Sequence, residues 1–496
     1  MPPAKSLAES IDGTDIEVLG ARVGSLQRAM AAGALTSARL TEFYVRRIER
    51  LNPELHAVIA VSPDAEQQAV ASDAARALGA ARGPLEGIPV LVKDNIAVAG
   101  QPATAGSPAL EHAESGDAFL VTGLRSCGAV ILGKANLSEW ANIRSTRSSS
   151  GWSTLGGQAV NPHGPGRNPS GSSSGSAVAV AAGLAPVAVG TETNGSIVSP
   201  ASACGVVGLK PTLGLISRSG IVPISSAQDT AGPMTSCVAD AAALLGALAG
   251  ADLADPVTAA AAGRPADYTA FLDPGALAGA RLGIWRDGSK TARSSTAAVL
   301  DAAVERMRAA GAEVIDPVAL PGVGDVSDLE LAALLHEFKH DLNAYLAALP
   351  GEHPATLAEL IEFNAAMRDR VLAVFGQDLL ERAEQTSGDL TSPGYLAARG
   401  TASRLAHAGL DGALSEHRLD AVVSLTGGPA RLTDHLLGDL SEFATSGPAA
   451  VCGYPSLSVM ADSVGGLPVG LLFAGPRWSE PRLLALGYAF EQAGRA

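Results

Sequence analysis

Two serines in glycine-rich turns and one lysine after an apolar run are the residues of this chain best suited to acyl transfer. Ser172 lies in the stretch 168–177, Ser196 lies in the stretch 190–200, and Lys93 is further upstream. A neutral lysine amine can act as a base when burial lowers its pKa, and a serine hydroxyl can pass on a proton because it both donates and accepts hydrogen bonds. Together the three residues predict a Ser-Ser-Lys catalytic group.

The turn around Ser196, Thr193-Asn-Gly-Ser-Ile197, has a second property that acyl transfer needs. Its successive backbone N–H groups could point at one oxygen, as an oxyanion hole requires, and Gly195 permits the necessary backbone geometry. Alternatively, Ser172 and Ser196 only cap turns, which is the simpler interpretation of either serine alone. An isolated lysine in the position of Lys93 would likewise be expected to extend its amine to solvent.

Other catalytic motifs fit the sequence less well. Gly171-Ser-Ser-Ser-Gly175 matches Gly-x-Ser-x-Gly, with Ser173 as nucleophile, but the Pro- and Gly-rich residues before it cannot form the strand that this motif requires. The stretch 128–134 matches the start of a P-loop, yet its middle reads as a strand, and Ala135 stands where a Mg²⁺-binding hydroxyl belongs. No lysine follows a serine by three positions, so the Ser-x-x-Lys motif of penicillin-binding enzymes is absent from the sequence. No histidine flanks Ser196, so a Ser-His-Asp triad has no clear histidine.

A covered sheet is predicted to position these residues. Residues 87–92 are typical of a strand inside such a sheet, and this strand would present Lys93 at its C-terminal end. Residues 144–176 lack periodicity, and a flexible linker is the alternative there, but they contain Trp152 and lead into an Ala/Val-rich helix, so we expect a functional loop. Strands and helices alternate over the whole chain, which predicts one α/β unit with a mixed, mostly buried sheet between helices.

The remaining patterns predict boundaries and walls. A helix over 37–51 should stop at Asn52-Pro53. The polar segment 264–274 is a candidate internal junction. Long helical stretches at 329–349 and 356–382 should form a lid or side wall. We expect the substrate pocket to be lined by residues 142–155, by helices around 336–363 and by the loop 426–454.

Composition excludes several classes of function. The formal charge of −15 and the lack of a basic block argue against a nucleic-acid partner. Apolar runs are too broken for a membrane span, and residues 1–12 lack the apolar core of a signal peptide, so we expect a cytoplasmic protein. The cysteines are far apart, so we expect buried small hydrophobes rather than disulfides or metal ligands; they are Cys127, Cys204, Cys237 and Cys452.

The glycine- and serine-rich motifs resemble those of the amidase signature family. The resemblance covers the stretch 171–175, Gly190–Ile197 with its Gly-Thr-x-x-x-Gly-Ser-Ile pattern, and Gly-Val-Val-Gly-Leu-Lys-Pro-Thr at 205–212. It implies the amidase signature fold as a single domain over 1–496, with a signature core at about 85–250 and a helical lid or side wall at about 329–415.

The resemblance also implies roles for the candidate residues. Lys93 would be the base, Ser172 the relay serine that follows a cis peptide bond, and Ser196 the nucleophile. The oxyanion hole would consist of the backbone N–H groups of Thr193, Asn194, Gly195 and Ser196. No cofactor and no metal would be needed.

Two departures from the family pattern narrow the resemblance. Asn194-Gly-Ser-Ile-Val198 stands where many members have Gly-Gly-Ser-Ile-Arg, and Ser174 stands where glycine is common. Both features resemble the branch of the bacterial peptide amidases and weaken an assignment as the glutaminase subunit of a tRNA amidotransferase. We therefore expect a monomeric or homodimeric amidohydrolase acting on peptide C-terminal amides or bulky uncharged amides. Aryl amides, esters and carbamates (urethanes) are alternative substrates.

Overall fold

A computed structural model describes residues 18–440 and 442–494 of the chain. The stretch 1–12, predicted not to be a signal peptide, lies outside these residues. The β-strands are β1 Val58–Val61, β2 Pro89–Lys93, β3 His112–Ala113, β4 Val130–Ala135, β5 Trp152–Ser153, β6 Gly157–Gln158, β7 Val187–Glu192, β8 Val207–Lys210, β9 Thr230–Thr235, β10 Arg281–Ile284, β11 Glu313–Ile315, β12 Gly351–Glu352, β13 Ala421–Leu425, β14 Ser456–Val464 and β15 Leu467–Ala474.

Helices account for most of the remaining regular structure. They are α1 Val23–Ala31, α2 Ser37–Leu55, α3 Ala65–Ala77, α4 Phe119–Ser126, α5 Ser174–Ala181, α6 Val198–Cys204, α7 Val238–Leu248, α8 Ser294–Ala309, α9 Val326–Ala348, α10 Leu357–Ala366, α11 Arg368–Val371, α12 Asp378–Glu384, α13 Pro393–Glu416, α14 Gly447–Val451 and α15 Glu480–Ala493.

One large mixed sheet forms the centre of the molecule, as predicted. Its eleven strands follow the order β1-β4-β2-β7-β9-β8-β14-β15-β13-β10-β11, with helices flanking the sheet. Every residue of β2, β4, β7, β8 and β9 is buried, because these strands are covered on both faces. Side chains along such strands must be apolar, or their polar groups must be hydrogen-bonded. The sheet continues across the predicted junction at 264–274, since β9 precedes this segment and β10 follows it.

Parallel pairing within the sheet brings two candidate segments to one edge. β2 lies between β4 and β7 and runs parallel to both, with Val92 opposite Val189. The C-terminal end of β2, which carries Lys93, is therefore next to the C-terminal end of β7, which leads into the turn of Ser196. Parallel strands place their carboxyl ends on one side of a sheet, and sites in α/β proteins commonly form there.

The predicted stop at Asn52-Pro53 is wrong, because α2 continues through Pro53 to Leu55. The Asn52 side chain stabilises this extra turn by accepting hydrogen bonds from the backbone N–H groups of Ala57 and Val58, at 2.8 and 2.9 Å. A proline in the last turn of a helix removes only one backbone donor, so a side-chain cap nearby can offset the loss.

The predicted helical stretch 356–382 is also interrupted, since it consists of α10, α11 and α12. Between α11 and α12 the carbonyl oxygens of Phe375 and Gly376 accept hydrogen bonds from the Arg144 guanidinium, at 2.7 and 3.2 Å. This buried arginine satisfies the non-helical backbone. The longest helix of the region is α13, which the sequence patterns did not identify as a separate element.

Two expectations from composition can be compared with the structure. Cys204, Cys237 and Cys452 are buried free thiols, but Cys127 is only partly buried, so the expectation of burial is wrong for that residue. Among the helices in the described part of the chain, none is long and apolar enough to cross a membrane.

Candidate active site

The Lys93 side chain ends in a fully buried group of hydroxyl and carbonyl oxygens. Its Nζ lies 2.7 Å from Ser172 Oγ, 2.8 Å from Thr191 Oγ1 and 3.3 Å from the Thr191 carbonyl oxygen. Burial lowers the Lys93 pKa from 10.5 to about 7, although the carboxylates of Asp229 and Glu192 favour the charged form. The amine therefore does not extend to solvent, and near neutral pH it can be a base.

Ser172 lies between the lysine and the glycine-rich loop. The peptide bond from Gly171 to Ser172 is cis, as the family resemblance implies, and the Ser172 side chain is fully buried. The Ser172 carbonyl accepts a hydrogen bond from the Ser138 backbone at 3.1 Å. A Cβ at position 171 would lie only 2.3 Å from Ser138 Oγ, so glycine is required for this close approach.

Ser196 lies in the turn between β7 and α6 and is 8% exposed. Its carbonyl accepts a hydrogen bond from the Ser173 backbone at 3.0 Å, so the two serine-containing turns are directly joined. Lys93 and Ser172 are thus in hydrogen-bond contact, whereas no hydrogen bond joins the hydroxyls of Ser172 and Ser196 within the described residues.

The turn before Ser196 presents a run of backbone donors. Gly195 has a φ of +80°, which favours glycine, and a Cβ there would lie 2.9 Å from two serine hydroxyls. Glu192 Oε2 accepts the next two amides along the chain, those of Ile197 and Val198, at 2.7 and 3.0 Å. Among the residues that the structure describes, no protein group accepts a hydrogen bond from the amides of Thr193, Asn194, Gly195 and Ser196.

Sequence reasoning missed several polar residues around this group. Thr191 Oγ1 accepts hydrogen bonds from both Lys93 and Asn95, the second at 3.0 Å. Thr193 Oγ1 donates to Asp229 at 2.5 Å, and burial raises the Asp229 pKa to about 6. Thr191 lies inside the Gly190–Ile197 motif, but nothing in that motif shows that its hydroxyl meets Lys93, and the motifs at 171–175, 190–197 and 205–212 do not contain Asp229.

Ser173, the nucleophile of the rejected Gly-x-Ser-x-Gly motif, has a different environment. Its hydroxyl donates to the Thr191 carbonyl at 3.0 Å and accepts from the Thr191 amide at 3.1 Å. Both hydrogen-bonding roles of this hydroxyl are therefore used to join the start of α5 to β7.

A cavity of 280 Å³ lies beside the group. Its walls include Thr191, Thr193 and Asp229, but not Ser172 or Ser196. Of the predicted pocket walls, the helix around 336–363 contributes through α9, whereas residues 142–155 and 426–454 do not line this cavity. The loop before β9 supplies much of the lining, and the sequence patterns did not indicate this; its members are Arg218, Ser219, Ile221, Val222, Pro223, Ile224 and Ser226.

In chemical terms, the arrangement combines a buried amine of lowered pKa, a hydroxyl in contact with it, a second serine and a row of free amides. These are the parts that a serine nucleophile needs for attack on a carbonyl carbon. Among the described residues, no group of three or more His, Cys, Asp or Glu side chains is placed to hold a metal ion.

A family model and a solved structure that match nearly the whole chain both describe amidases. Residues 39–484 match the family model described as Amidase. The native peptide amidase from Stenotrophomonas maltophilia is 50% identical with a TM-score of 0.91, over 96% of this chain and 97% of that one.

Two further relatives cover nearly the whole chain. A probable amidase of Arabidopsis thaliana is 41% identical over 486 residues, which are 95% of this chain and 90% of the relative. One subunit of the glutamyl-tRNA(Gln) amidotransferase of Chloroflexus aurantiacus is 34% identical over 499 residues, with 95% of this chain and 96% of the relative covered.

Proposed function

Because the chain belongs to the amidase signature family and is an amide-hydrolysing enzyme, we propose that it hydrolyses peptide C-terminal amides with Ser196 as nucleophile, Ser172 as relay and Lys93 as base. The observation that carries this proposal is the contact of 2.7 Å between the buried Lys93 amine and Ser172 Oγ.

The hydrogen bonds of Lys93 support its role as base. A neutral amine has two N–H donors and one lone pair, and Thr191 offers two acceptors within reach, its Oγ1 and its carbonyl oxygen. The lone pair is then left to accept the proton of Ser172. With a pKa of about 7, an appreciable fraction of Lys93 is neutral near neutral pH.

In the acylation step, Ser196 Oγ attacks the amide carbonyl carbon. The Ser196 proton passes to Ser172 while the Ser172 proton passes to Lys93. The tetrahedral intermediate carries its negative oxygen toward the four amides of residues 193–196. Lys93 then returns its proton by the same route to the amide nitrogen, the C–N bond breaks, and ammonia leaves.

Deacylation repeats the chemistry with water. A water molecule attacks the ester carbonyl of acyl-Ser196 and gives up a proton toward Ser172 and Lys93. The proton returns to Ser196 Oγ as the C–O bond breaks, and the carboxylic acid is released. Besides the substrate, water is the one reactant that the two steps consume.

Similarity to a peptide amidase at 50% identity supports the choice of peptide C-terminal amides. Aryl amides, esters and carbamates undergo the same acyl transfer and are the alternatives. A glutaminase component of an amidotransferase is a further candidate, because one amidotransferase subunit is 34% identical over nearly the whole chain.

The test compares leaving groups on one acyl group. Purified protein is incubated with an N-acetylated dipeptide amide, the matching anilide and the matching methyl ester, together with an aryl carbamate. Ammonia, aniline, alcohol and amine release are measured, with free glutamine as a separate substrate. We expect the highest kcat/KM for the peptide amide. Preference for the carbamate or anilide would overturn the substrate assignment, and activity confined to glutamine would favour the amidotransferase component.

A further inference from the structure

The side chain of Asn194, next to Gly195 and Ser196, is held on both sides by distant parts of the chain. Its Nδ2 donates to both carboxylate oxygens of Glu330, at 2.9 Å each. Its Oδ1 accepts from Ser446 Oγ at 2.7 Å. Glu330 belongs to α9 and Ser446 directly precedes α14, so one helix and the residue before a second helix fix one residue of the turn.

Thr193, the preceding residue, is held by the same carboxylate through one intermediary. Gln228 Nε2 donates to Glu330 Oε1 at 2.7 Å and to the Thr193 carbonyl at 3.2 Å. Gln228 Oε1 in turn accepts from the Arg399 guanidinium. Glu330 and Gln228 are almost completely buried, so water does not compete strongly for these hydrogen bonds.

Glu337, further along α9, fixes the other end of this connection. Its carboxylate forms an ion pair with Arg399 and accepts from Tyr395 OH at 2.8 Å and Ser225 Oγ at 2.6 Å. We call Gln228, Glu330, Glu337 and Arg399 the Glu330 network. It runs from α13 through α9 to the turn that carries Ser196.

We propose that Glu330 is a positioning residue that aims the amides of the turn 193–196 by holding Asn194. This inference rests on the proposed function, in which those amides bind the oxyanion. Donors of an oxyanion hole are effective only when they are fixed before the negative charge develops, because reorienting them during the reaction costs free energy. The network supplies that rigidity from outside the turn.

The inference also explains a departure in the sequence. Many family members have glycine where this chain has Asn194, and a glycine has no side chain that a distant helix could hold. Asn194 provides one donor group and one acceptor atom, and the structure uses both. The helical region that the sequence predicts to be a lid or side wall therefore also supports the catalytic turn.

The carboxylate is chemically specific for this task. Both of its oxygens face N–H donors, and glutamine at position 330 would place its own NH₂ group against the Asn194 or Gln228 amide. Glu330→Gln keeps the shape and removes one acceptor, whereas Glu330→Ala removes both. The two variants separate hydrogen bonding from packing.

The experiment measures kcat, KM and inhibition by a peptide aldehyde, whose adduct with Ser196 places a tetrahedral oxygen near the amides. We expect Glu330→Gln to lower kcat about 10-fold and Glu330→Ala about 100-fold, which is no more than the roughly 10²- to 10³-fold that follows outright loss of an oxyanion donor, because the amides are misaimed rather than removed. KM should change less than about 2-fold, because the lost interaction acts mainly in the transition state. Aldehyde affinity should fall by the same factor as kcat/KM.

A matched control comes from the same helix. Lys339 lies on α9 and pairs with Glu384, away from the turn. Lys339→Met should leave kcat and aldehyde affinity unchanged, and thermal unfolding should verify that each variant is folded. An equal loss of kcat in Lys339→Met, or unchanged aldehyde affinity in Glu330→Ala, would mean that α9 has only a structural role and would overturn the proposal.

A double-mutant cycle with Asn194→Ala tests the connection itself. If Glu330 acts through Asn194, the double variant should be no slower than the slower single variant. Independent effects that multiply in the double variant would overturn the proposal. Wild-type kcat in Asn194→Ala would overturn it too, and this variant can be measured even if Glu330→Ala does not fold. Ser196→Ala separates failure of the proposed function from failure of this inference. Full activity in Ser196→Ala would contradict the role of Ser196 as nucleophile, and with it the proposed function, whatever the Glu330 variants show.

Discussion

The two halves of the candidate active site are built in different ways. The base side consists of Lys93, Ser172 and Thr191, which are buried where neighbouring strands of the sheet end. The oxyanion side is a turn whose side chains are held from outside the sheet, by Glu330 at a sequence separation of 136 and by Ser446 at 252. One half depends on burial, and the other depends on a polar network.

This difference separates two physical requirements of acyl transfer. The base needs a pKa near neutrality, and removing an amine from water lowers its pKa without any specific partner. The oxyanion donors need fixed directions, which burial alone cannot provide. Substitutions on the base side should therefore change pH dependence, whereas substitutions in the Glu330 network should change the rate constant and leave the pH profile in place.

The largest effect is expected at Ser196, where the two halves meet. Ser196→Ala removes the atom that forms the acyl-enzyme, so kcat for amide hydrolysis should fall by at least about 10⁴-fold. The variant should fold normally, because the hydroxyl is not among the groups that join the turns. Full activity in a correctly folded variant would contradict the mechanism, and ammonia release measured with excess enzyme gives the necessary sensitivity.

Lys93→Met should have the next largest effect, and it tests the base side alone. Loss of a general base typically lowers the rate by about 10² to 10⁴-fold. In the unsubstituted protein, kcat/KM should rise with pH through about 7, because only the neutral amine can accept a proton. Below that pH Lys93 is protonated and activity should be lost. A profile that is flat from pH 5 to 8 would exclude Lys93 as the titrating base.

The same variant should be more stable than the original protein. The unfolded chain holds a proton on Lys93 up to about pH 10.5, whereas the folded protein releases it near pH 7. The lowered pKa of Lys93 therefore reduces the free energy of unfolding by roughly 4 kcal/mol at pH 7, and this reduction disappears as pH rises toward 10.5. Lys93→Met removes this reduction, although it also removes the hydrogen bonds to Ser172 and Thr191.

Thermal unfolding at two pH values is the measurement. We expect a higher Tm for Lys93→Met at pH 7 and a smaller gain near pH 10. The exposed Lys290 provides a control, since Lys290→Met should show no gain that depends on pH. A gain of equal size at both pH values would show that packing, rather than the displaced proton, accounts for the stability.

Most of the base side could be predicted from the sequence. An all-apolar strand ending in lysine, a Gly/Ser-rich loop and a glycine turn are local patterns, and the sheet needs only parallel pairing of β2 with β7 to bring two of them together. The continuation of α2 beyond Pro53 could not be predicted, because it depends on a cap by the Asn52 side chain.

The oxyanion side could be predicted only in part. The glycine turn and its row of amides are local, and the sequence identifies them. Its supports are not local: Glu330, Gln228 and Arg399 come from three elements far apart in the chain, and each alone is an ordinary polar residue. Helical periodicity predicts that α9 packs against the protein, but it does not predict which buried carboxylate faces the turn.

Asp229→Asn should have the smallest effect and should show whether the two halves are electrostatically separate. Asp229 bonds to Thr193 on the oxyanion side, and its negative charge raises the pKa of Lys93 on the base side. Asp229 Oδ2 also accepts from the backbone N–H groups of Ile224 and Ser225, at 2.7 and 2.8 Å. Asparagine can keep its oxygen toward these two donors and turn its NH₂ group toward Thr193 Oγ1, which can accept as well as donate. The substitution then removes the charge, so protonation of Lys93 becomes less favourable. The acid limb of kcat/KM should move to lower pH, by less than one unit, with kcat at pH 8 nearly unchanged. The pH profiles of kcat/KM are measured for both Asp229→Asn and Glu330→Gln. A shift that occurs in Asp229→Asn but not in Glu330→Gln assigns Asp229 to the base side. A loss of kcat without a shift would place it with the Glu330 network, because a charge that only orients the turn has no reason to change the pH at which the base titrates.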